Sequence, residues 1–343
     1  MKTKYYIDDT SIEDNAMQGL QLFEKDENIS KIAVFPDIHY CSEKNLPVGV
    51  AFESTDVFYP LITGKDMGCG VSYLKIDKKN YLQPFDKNKH YKAFDKASML
   101  MTDEGLGGGN HFLSLEESEK YLYIICHTGT RNLGIYMYQK MLSMLEPGCN
   151  FLPIEKATEE FIIEYDKILN YGILRREQFL TKTFDFLVRN KYVVDKCEYE
   201  ITTSIHNHLT FKDNKVIHRK GATELTQDHP VVIPLSMTRG SLIVKANKYT
   251  IPEETISSCS HGAGRKLSRT DTLKYWHSLK KSDKNYYKKQ FPELLNKNGE
   301  INNGHIQEFD FAYKNSDSIL QLQPYLIKVD ETTPIVTVKF TEI

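Results

Sequence analysis

Strand-like and helix-like stretches interleave along the 343 residues without the regular β-α-β rhythm that builds a doubly wound parallel sheet. That order constrains the fold more than any single motif, and it predicts a mixed α+β architecture. Ile12, Ala16, Leu20 and Phe23 share one helical face behind Ser11, a residue type that caps helix N-termini. A short strand is expected at Lys31–Phe35, then a loop rich in polar residues and Gly. Tyr121–Ile125 reads as a strand running directly into Cys126-His127-Thr128-Gly129. From about Thr158 to Lys191 the spacing of Phe161, Tyr165 and Ile168 is helical, with Gly172 a candidate break. Val231–Val244 reads as two short strands around a turn, and Ile335–Phe340 alternates as a strand does. No repeat or linker divides the chain, and its polar motifs are spread over almost the whole length. One compact domain, residues 1–343, is expected, with central mixed β-sheets flanked by helices.

Composition narrows the class. Hydrophobic residues at 40% and charged residues at 26% are ordinary for a globular chain. No apolar run is long enough to span a bilayer. Met1–Thr10 lacks the apolar core and small-residue cleavage site of a signal peptide, so a cytoplasmic location is expected. The six cysteines, 41, 69, 126, 149, 197 and 259, form no CxxC pair. They fit buried thiols, one of them a metal ligand, better than bridges. A net charge of −2 gives no global attraction to nucleic acid, so an RNA-binding role requires a local basic patch.

Five groups of residues carry potential chemistry. In Asp66-Met67-Gly68-Cys69-Gly70 a carboxylate and a thiol three residues apart can converge on one cation, although an Asp-capped turn beside a buried cysteine explains the segment equally simply. His111, His127 and His206 each stand beside Gly or Asn at the end of an apolar segment, and imidazole with thiolate suits transition metals. Small residues around His261, in Ser258-Cys259-Ser260-His261-Gly262-Ala263-Gly264, leave room for a bulky ligand and expose backbone N–H groups to phosphate. Arg265 and Arg269, if helical, present guanidinium forks on one face. The basic trio His218-Arg219-Lys220 is either a phosphate site or a solvated strand end. Between Lys274 and Lys289 lysines alternate with Tyr275, Trp276, Tyr286 and Tyr287, which fits either single-stranded RNA or a solvated helix face with its aromatics turned inward.

Taken in order, these blocks resemble the RtcB RNA-ligase family. Pro36-Asp37-Ile38-His39 with Pro47-Val48-Gly49 is similar to its opening motif. Asp66-x-x-Cys69-Gly70, Gly109-Asn110-His111-Phe112, His127-Thr128-Gly129-Thr130-Arg131, His206-Asn207, His218 to Thr223 and His261-Gly262-Ala263-Gly264-Arg265 follow in family order. Ala312-Tyr313-Lys314 and Val338-Lys339 resemble its final blocks, so the likeness runs from about Ser11 to Lys339.

The resemblance implies a short, divergent, monomeric ligase using GTP and two Mn2+ ions. Asp66, Cys69 and His111 would hold one ion, and Cys69, His127 and His206 the other. His261 would be the catalytic residue, attacking the α-phosphate of GTP and passing GMP to RNA. The guanine nucleotide would lie against Asn110, His206, Asn207, Pro234, Ser236, Met237, Ser241, His261, Gly262, Ala263, Gly264 and Lys339, with Arg131, Arg265 and Arg269 serving RNA or transferred phosphates. The RNA partners implied carry 2′,3′-cyclic-phosphate or 3′-phosphate ends and 5′-hydroxyl ends, in tRNA splicing or RNA repair, with an archease-like activator. Two other functions fit parts of the same pattern: a metal-dependent RNA-end phosphoesterase and a non-ligating RNA-binding damage sensor.

The chain departs from the family at three positions. Ser114 stands where a nucleotide-contacting Glu is usual, and Glu116, two positions on, is not expected to point identically. Leu235 and Thr238 replace glycines that could supply positive φ.

Overall fold

The computed structural model describes residues 2–7, 14–40, 47–100, 105–247 and 251–339, without the side chains of 96–100. In chain order the strands are β1 Thr3–Tyr5, β2 Ile29–Tyr40, β3 Pro47–Thr55, β4 Val57–Phe58, β5 Gly70–Asp77, β6 Phe112–Glu117, β7 Tyr121–Thr128, β8 Leu152–Pro153 and β9 Tyr199–Ile205. Then come β10 Asn207–Lys212, β11 Lys215–Lys220, β12 Ala222–Glu224, β13 Val231–Ser236, β14 Gly240–Ala246, β15 Ser258–Ser260, β16 Leu326–Glu331 and β17 Thr333–Val338. The helices are α1 Asp14–Glu24, α2 Pro60–Thr63, α3 Lys87–Leu100, α4 Asn132–Ser143, α5 Glu159–Arg189, α6 Arg269–Ser278, α7 Lys281–Gln290, α8 Asn303–Ile306 and α9 Ser316–Leu322.

Two five-stranded sheets dominate. The first runs β1-β2-β3-β11-β10, with β1 parallel to β2 and the rest antiparallel. The second runs β17-β6-β7-β5-β9 and is antiparallel throughout. A three-stranded sheet, β13-β14-β16, lies between them. Its placement follows from the two-residue period of a strand. Val231, Ile233 and Leu235 on β13 pack with Ala33, Phe35 and Ala51 of the first sheet, while Val232 turns the other way to Tyr73, Tyr123 and Ile125 of the second. Helices close the outer faces. Ala16, Leu20 and Phe23 of α1 cover Val34 and Phe52, and Phe179, Leu180 and Leu187 of α5 cover Leu74, Ile124 and Leu113. The architecture is α+β, as the irregular element order predicts.

Several local expectations hold, and three change. The first helix forms with its predicted apolar face, while Ser11 and Ile12 lie outside the described residues. The strand expected at Lys31–Phe35 extends to Tyr40, and its register against β3 shifts between Val34 and His39, so Pro36 interrupts no regular ladder. The segment after it is only partly loop, because Pro47–Thr55 forms the central strand β3, paired on both sides. Gly172 does not break α5. A Cβ there would lie 2.9 Å from Thr130 Cγ2 and 3.1 Å from the Gly68 carbonyl, so the glycine lets the helix approach the Asp66–Gly70 turn.

Candidate metal and nucleotide centre

Sheet register assembles the site. Gly70, the first residue of β5, pairs with Thr128 at the end of β7 and with Ile205 at the end of β9. Cys69, His127 and His206 therefore meet at one edge of the second sheet. Phe112 pairs with His127, which brings His111 to the same edge. His206 sits where the chain turns from β9 into β10 and so joins the two large sheets, its N–H donating to the Cys69 carbonyl at 2.9 Å. Of the three histidines expected at the ends of apolar segments, His127 is the penultimate residue of a strand.

The side chains converge. Cys69 Sγ is 3.1 Å from His127 Nε2 and 3.3 Å from His111 Nε2, and His127 Nε2 is 3.3 Å from His206 Nε2. Asp66 Oδ1 lies 3.6 Å from His111 Nε2 at the more open side of the cluster. Cys69, His111, His127 and His206 are all buried. His127 Nδ1–H donates to the Asn110 carbonyl at 3.2 Å, which fixes the tautomer and leaves the Nε2 lone pair facing the cluster. Burial, reinforced by neighbouring imidazoles, holds His127 and His206 well below the ordinary histidine range, so both rings are neutral. Burial and the Asp66 carboxylate push the Cys69 thiol up. Cys69, His111 and His127 offer ligand atoms that lie within 4.8 Å of one another, close enough to share a soft-tolerant divalent cation, and His206 borders them through His127. The donor set fits a metal.

Behind the cluster, α5 supplies two buried guanidinium groups. Arg176 donates to the carbonyls of Gly68 and Thr128 at 3.1 and 2.9 Å, and Arg175 to the Gly129 carbonyl and Thr128 Oγ1, both at 2.9 Å. They pin the ends of the strands that carry the ligands. Sequence reading missed both, because nothing marks an arginine inside an amphipathic helix as inward-facing.

His261 lies on the other side of His206, with ring centroids 4.9 Å apart. Asp37 holds it. One carboxylate oxygen, Oδ2, accepts the backbone N–H groups of His261 and Gly262 at 2.9 and 3.1 Å and sits 2.5 Å from His261 Nδ1. Burial opposes charge on the ring, but Asp37 outweighs it and the imidazole titrates above the ordinary histidine value. With Nδ1 committed to Asp37, Nε2 is the nitrogen left for chemistry. Gly221, at φ 60°, makes room: a Cβ there would stand 2.9 Å from His261 Cε1. Asp37 belonged to a recognised block, yet no spacing rule ties residue 37 to residue 261.

The expected nucleotide residues divide into two groups. Pro234 stands beside the His261–Gly264 turn, the Ala263 N–H donating to its carbonyl at 3.0 Å, while Met237 donates its N–H to the Glu308 carbonyl at 3.0 Å and the Ser236 hydroxyl accepts the Arg239 N–H at 3.1 Å. Asn207 ties the Gly221 N–H to the Asp66 carbonyl through its side chain, at 2.7 and 3.2 Å, and Asn110 flanks the cluster through its backbone. Ser241 is different. It is fully buried and faces Glu116 at 3.4 Å, with Ser114 donating to the same carboxylate at 2.6 Å and Thr332 at 2.5 Å. Ser114 and Glu116 therefore share a face of β6, as residues two apart on a strand do, contrary to the expectation that Glu116 points elsewhere. Burial raises the Glu116 carboxyl above the usual carboxylate range. Leu235 and Thr238 adopt no positive φ, so the missing glycines are accommodated; Gly240 turns the hairpin at φ 86°.

Lys339 is buried and donates to Glu308 Oε1 at 3.0 Å. Arg269 lies 3.3 Å and Arg265 3.6 Å from the same carboxylate. The two arginines thus converge through Glu308, not along one helix face, since only Arg269 is helical. Glu308 carried no sequence signal. The basic trio is buried, so it is not a solvated strand end, and His218 and Arg219 are committed to partners within the protein. His218 Nε2 accepts the Tyr59 N–H at 2.9 Å, and Arg219, 1% exposed, is locked between Glu224, Ser258 and Thr210.

Fold and site together define a class: an α+β protein with a buried thiol–imidazole cluster that could hold a metal, beside a carboxylate-held histidine. Comparison with known proteins gives the family. The family described as tRNA-splicing ligase RtcB matches residues 86–340, and the chain belongs to it. It is 26% identical over 301 residues to RNA-splicing ligase RtcB2 of Escherichia coli, covering 77% of this chain and 76% of that protein. To RNA-splicing ligase RtcB of Escherichia coli K12 it is 25% identical over 370 aligned positions, 87% of each chain. A tRNA-splicing ligase RtcB of Methanocaldococcus jannaschii is 25% identical over 224 residues, half of this chain and 23% of that one. Among the described residues no helix is long and apolar enough to cross a membrane.

Proposed function

We propose that this chain, acting as one domain, is an RNA ligase that joins 2′,3′-cyclic-phosphate or 3′-phosphate RNA ends to 5′-hydroxyl RNA ends, using GTP and two Mn2+ ions. The observation that supports this reading best is His261, held on Asp37 by Nδ1 and ring-to-ring with the ligand candidate His206. A phosphoesterase would need the cluster but has no use for that arrangement.

In this reading Asp66, Cys69 and His111 would hold one ion and Cys69, His127 and His206 the other, and bound cations would supply charge neutralisation for the triphosphate and its pyrophosphate leaving group. His261 Nε2 forms a bond to the α-phosphorus of GTP as the bond to the pyrophosphate oxygen breaks, and Asp37 stabilises the positive charge that develops on the ring. The nucleotide would rest against Asn110, Asn207, Pro234, Ser236, Met237, the His261–Gly264 turn and Lys339, while Ser241, buried against Glu116, would act from behind that surface. GMP then passes to the RNA 3′-phosphate, and the incoming 5′-hydroxyl displaces it.

The test is incubation with Mn2+ and GTP labelled at the α-phosphate, followed by denaturing electrophoresis. The expected result is an acid-labile adduct in the natural protein and none in His261→Ala, with joining of matched RNA ends in a parallel assay. No adduct in the natural protein, with cyclic-phosphate opening retained, would establish the phosphoesterase instead.

A further inference from the structure

The helical hairpin α6–α7 is chemically unlike the rest of the molecule. Between Arg269 and Gln290 stand seven Lys and Arg against two Asp, a local charge of +5 in a chain whose net charge is −2. Four of these cations are engaged internally: Arg269 with Glu308, Lys274 with Asp271, Lys284 with the His277 carbonyl, and Lys288 with Glu300. Lys280, Lys281 and Lys289 are exposed and have no carboxylate partner among the described residues.

The aromatics of the hairpin separate by direction. Trp276 and Tyr287 pack inward with Phe309 and Phe311. Tyr275 and Tyr286 point outward, 44% and 60% exposed, more than a tyrosine anchoring a core would be. Neither is loose: Tyr275 rests on Phe311 at 5.0 Å between centroids, and Tyr286 on Tyr287 at 5.6 Å. Two exposed rings held at the rim of a rigid aromatic cluster, interleaved with unpaired lysines, are what a sequence-tolerant single strand needs: flat faces for bases and cations for phosphates.

The hairpin is also wired to the site. Arg269, its first residue, reaches Glu308, which holds Lys339. Phe311 belongs to a strap whose Ala312 carbonyl accepts the Lys266 N–H at 2.9 Å and whose Lys314 N–H donates to the Gly264 carbonyl at 3.0 Å, next to His261.

We infer that α6–α7 is the platform on which single-stranded RNA lies as its end enters the centre, Tyr275 and Tyr286 stacking bases and Lys280, Lys281 and Lys289 contacting phosphates. This rests on the ligase reading for the identity of the nucleic acid. The test compares three proteins: natural, Lys280→Gln/Lys281→Gln/Lys289→Gln, and Tyr275→Ala/Tyr286→Ala. Each is assayed for binding of a short single-stranded RNA across a salt series, for binding to phosphatidylserine-containing vesicles, and for adduct formation with labelled GTP. The lysine variant should lose at least about tenfold in RNA affinity, and its log–log salt slope should fall by about 2. The tyrosine variant should lose about tenfold per stacked ring with the slope unchanged. Adduct formation should be unaffected in both. Unchanged RNA affinity and slope overturn the inference, as does loss of vesicle binding with RNA binding intact. Absence of adduct in all three proteins with RNA binding weakened in the variants sinks the ligase reading and leaves the platform standing.

Discussion

His206 and His208 are two residues apart, equally buried, and serve opposite ends. His206 turns its Nε2 to within 3.3 Å of His127 Nε2, at a cluster where a thiol and imidazoles converge. His208 Nε2 lies 3.1 Å from Glu224 and 3.2 Å from Arg219, beside an ion pair in which the Arg219 guanidinium meets the Glu224 carboxylate at 3.2 Å. Burial works against the Glu224 carboxylate, yet His208 and Arg219 hold it down to about 2. The difference teaches how to tell a site from a brace built of the same residue types. A brace balances its charges within the protein, whereas a cation site is complete only with a charge the protein does not contain. The chain separates the two histidines by bending at residue 206, between β9 and β10.

That contrast can be broken at either end. The largest effect is expected from Cys69→Ser, which removes the thiol shared by both proposed ions: adduct formation should fall more than about a hundredfold, while the urea midpoint of the metal-free protein stays the same or rises. A large loss of stability would make the cluster a brace after all. Arg219→Met should do the reverse, destabilising by about 3–5 kcal/mol because Glu224 and His208 lose their buried partner, with adduct per folded molecule retained. Asp37→Asn keeps an acceptor for the two backbone N–H groups but removes the charge beside His261. It should slow adduct formation about 10–100-fold with little change in Mn2+ affinity; equal loss of metal binding would place Asp37 among the ligands. The smallest effect concerns acid. Burial holds His218 down to about 3, below its ordinary value, so the unfolded chain takes up the proton first. Its contribution is therefore complete above about pH 6.5 and drains as pH falls toward 3, by about 2 kcal/mol between pH 6 and pH 4. Denaturant midpoints measured across that range check it, and His218→Asn should flatten the dependence.

What the sequence made legible follows from its periods. The helices α1 and α5 and the β13–β14 hairpin declare themselves because each keeps one regular apolar pattern. The central strand β3 does not: covered on both faces, Pro47–Thr55 shows no alternation, and its Gly49, Glu53 and Ser54 read as loop. Gly172 looked like a break because sequence shows a missing side chain but not the turn packed against it. The ligand candidates became visible as ordered blocks of a family, and the register of β5, β7 and β9 explains why residues 69, 127 and 206 meet. The partner of Asp37, and Glu308 altogether, stayed hidden for a plainer reason. Each acts on partners far along the chain, across contacts made only by tertiary packing.

The central claim is that the converging thiol and imidazoles form the cation site and that the Arg219–Glu224 network, whose charges pair within the protein, does not. Anomalous diffraction from crystals soaked in Mn2+ measures this directly. The account predicts two peaks sharing Cys69, one toward Asp66 and His111 and one toward His127 and His206, and none at His208–Glu224. An empty cluster, or a peak at the Glu224 network, would contradict it.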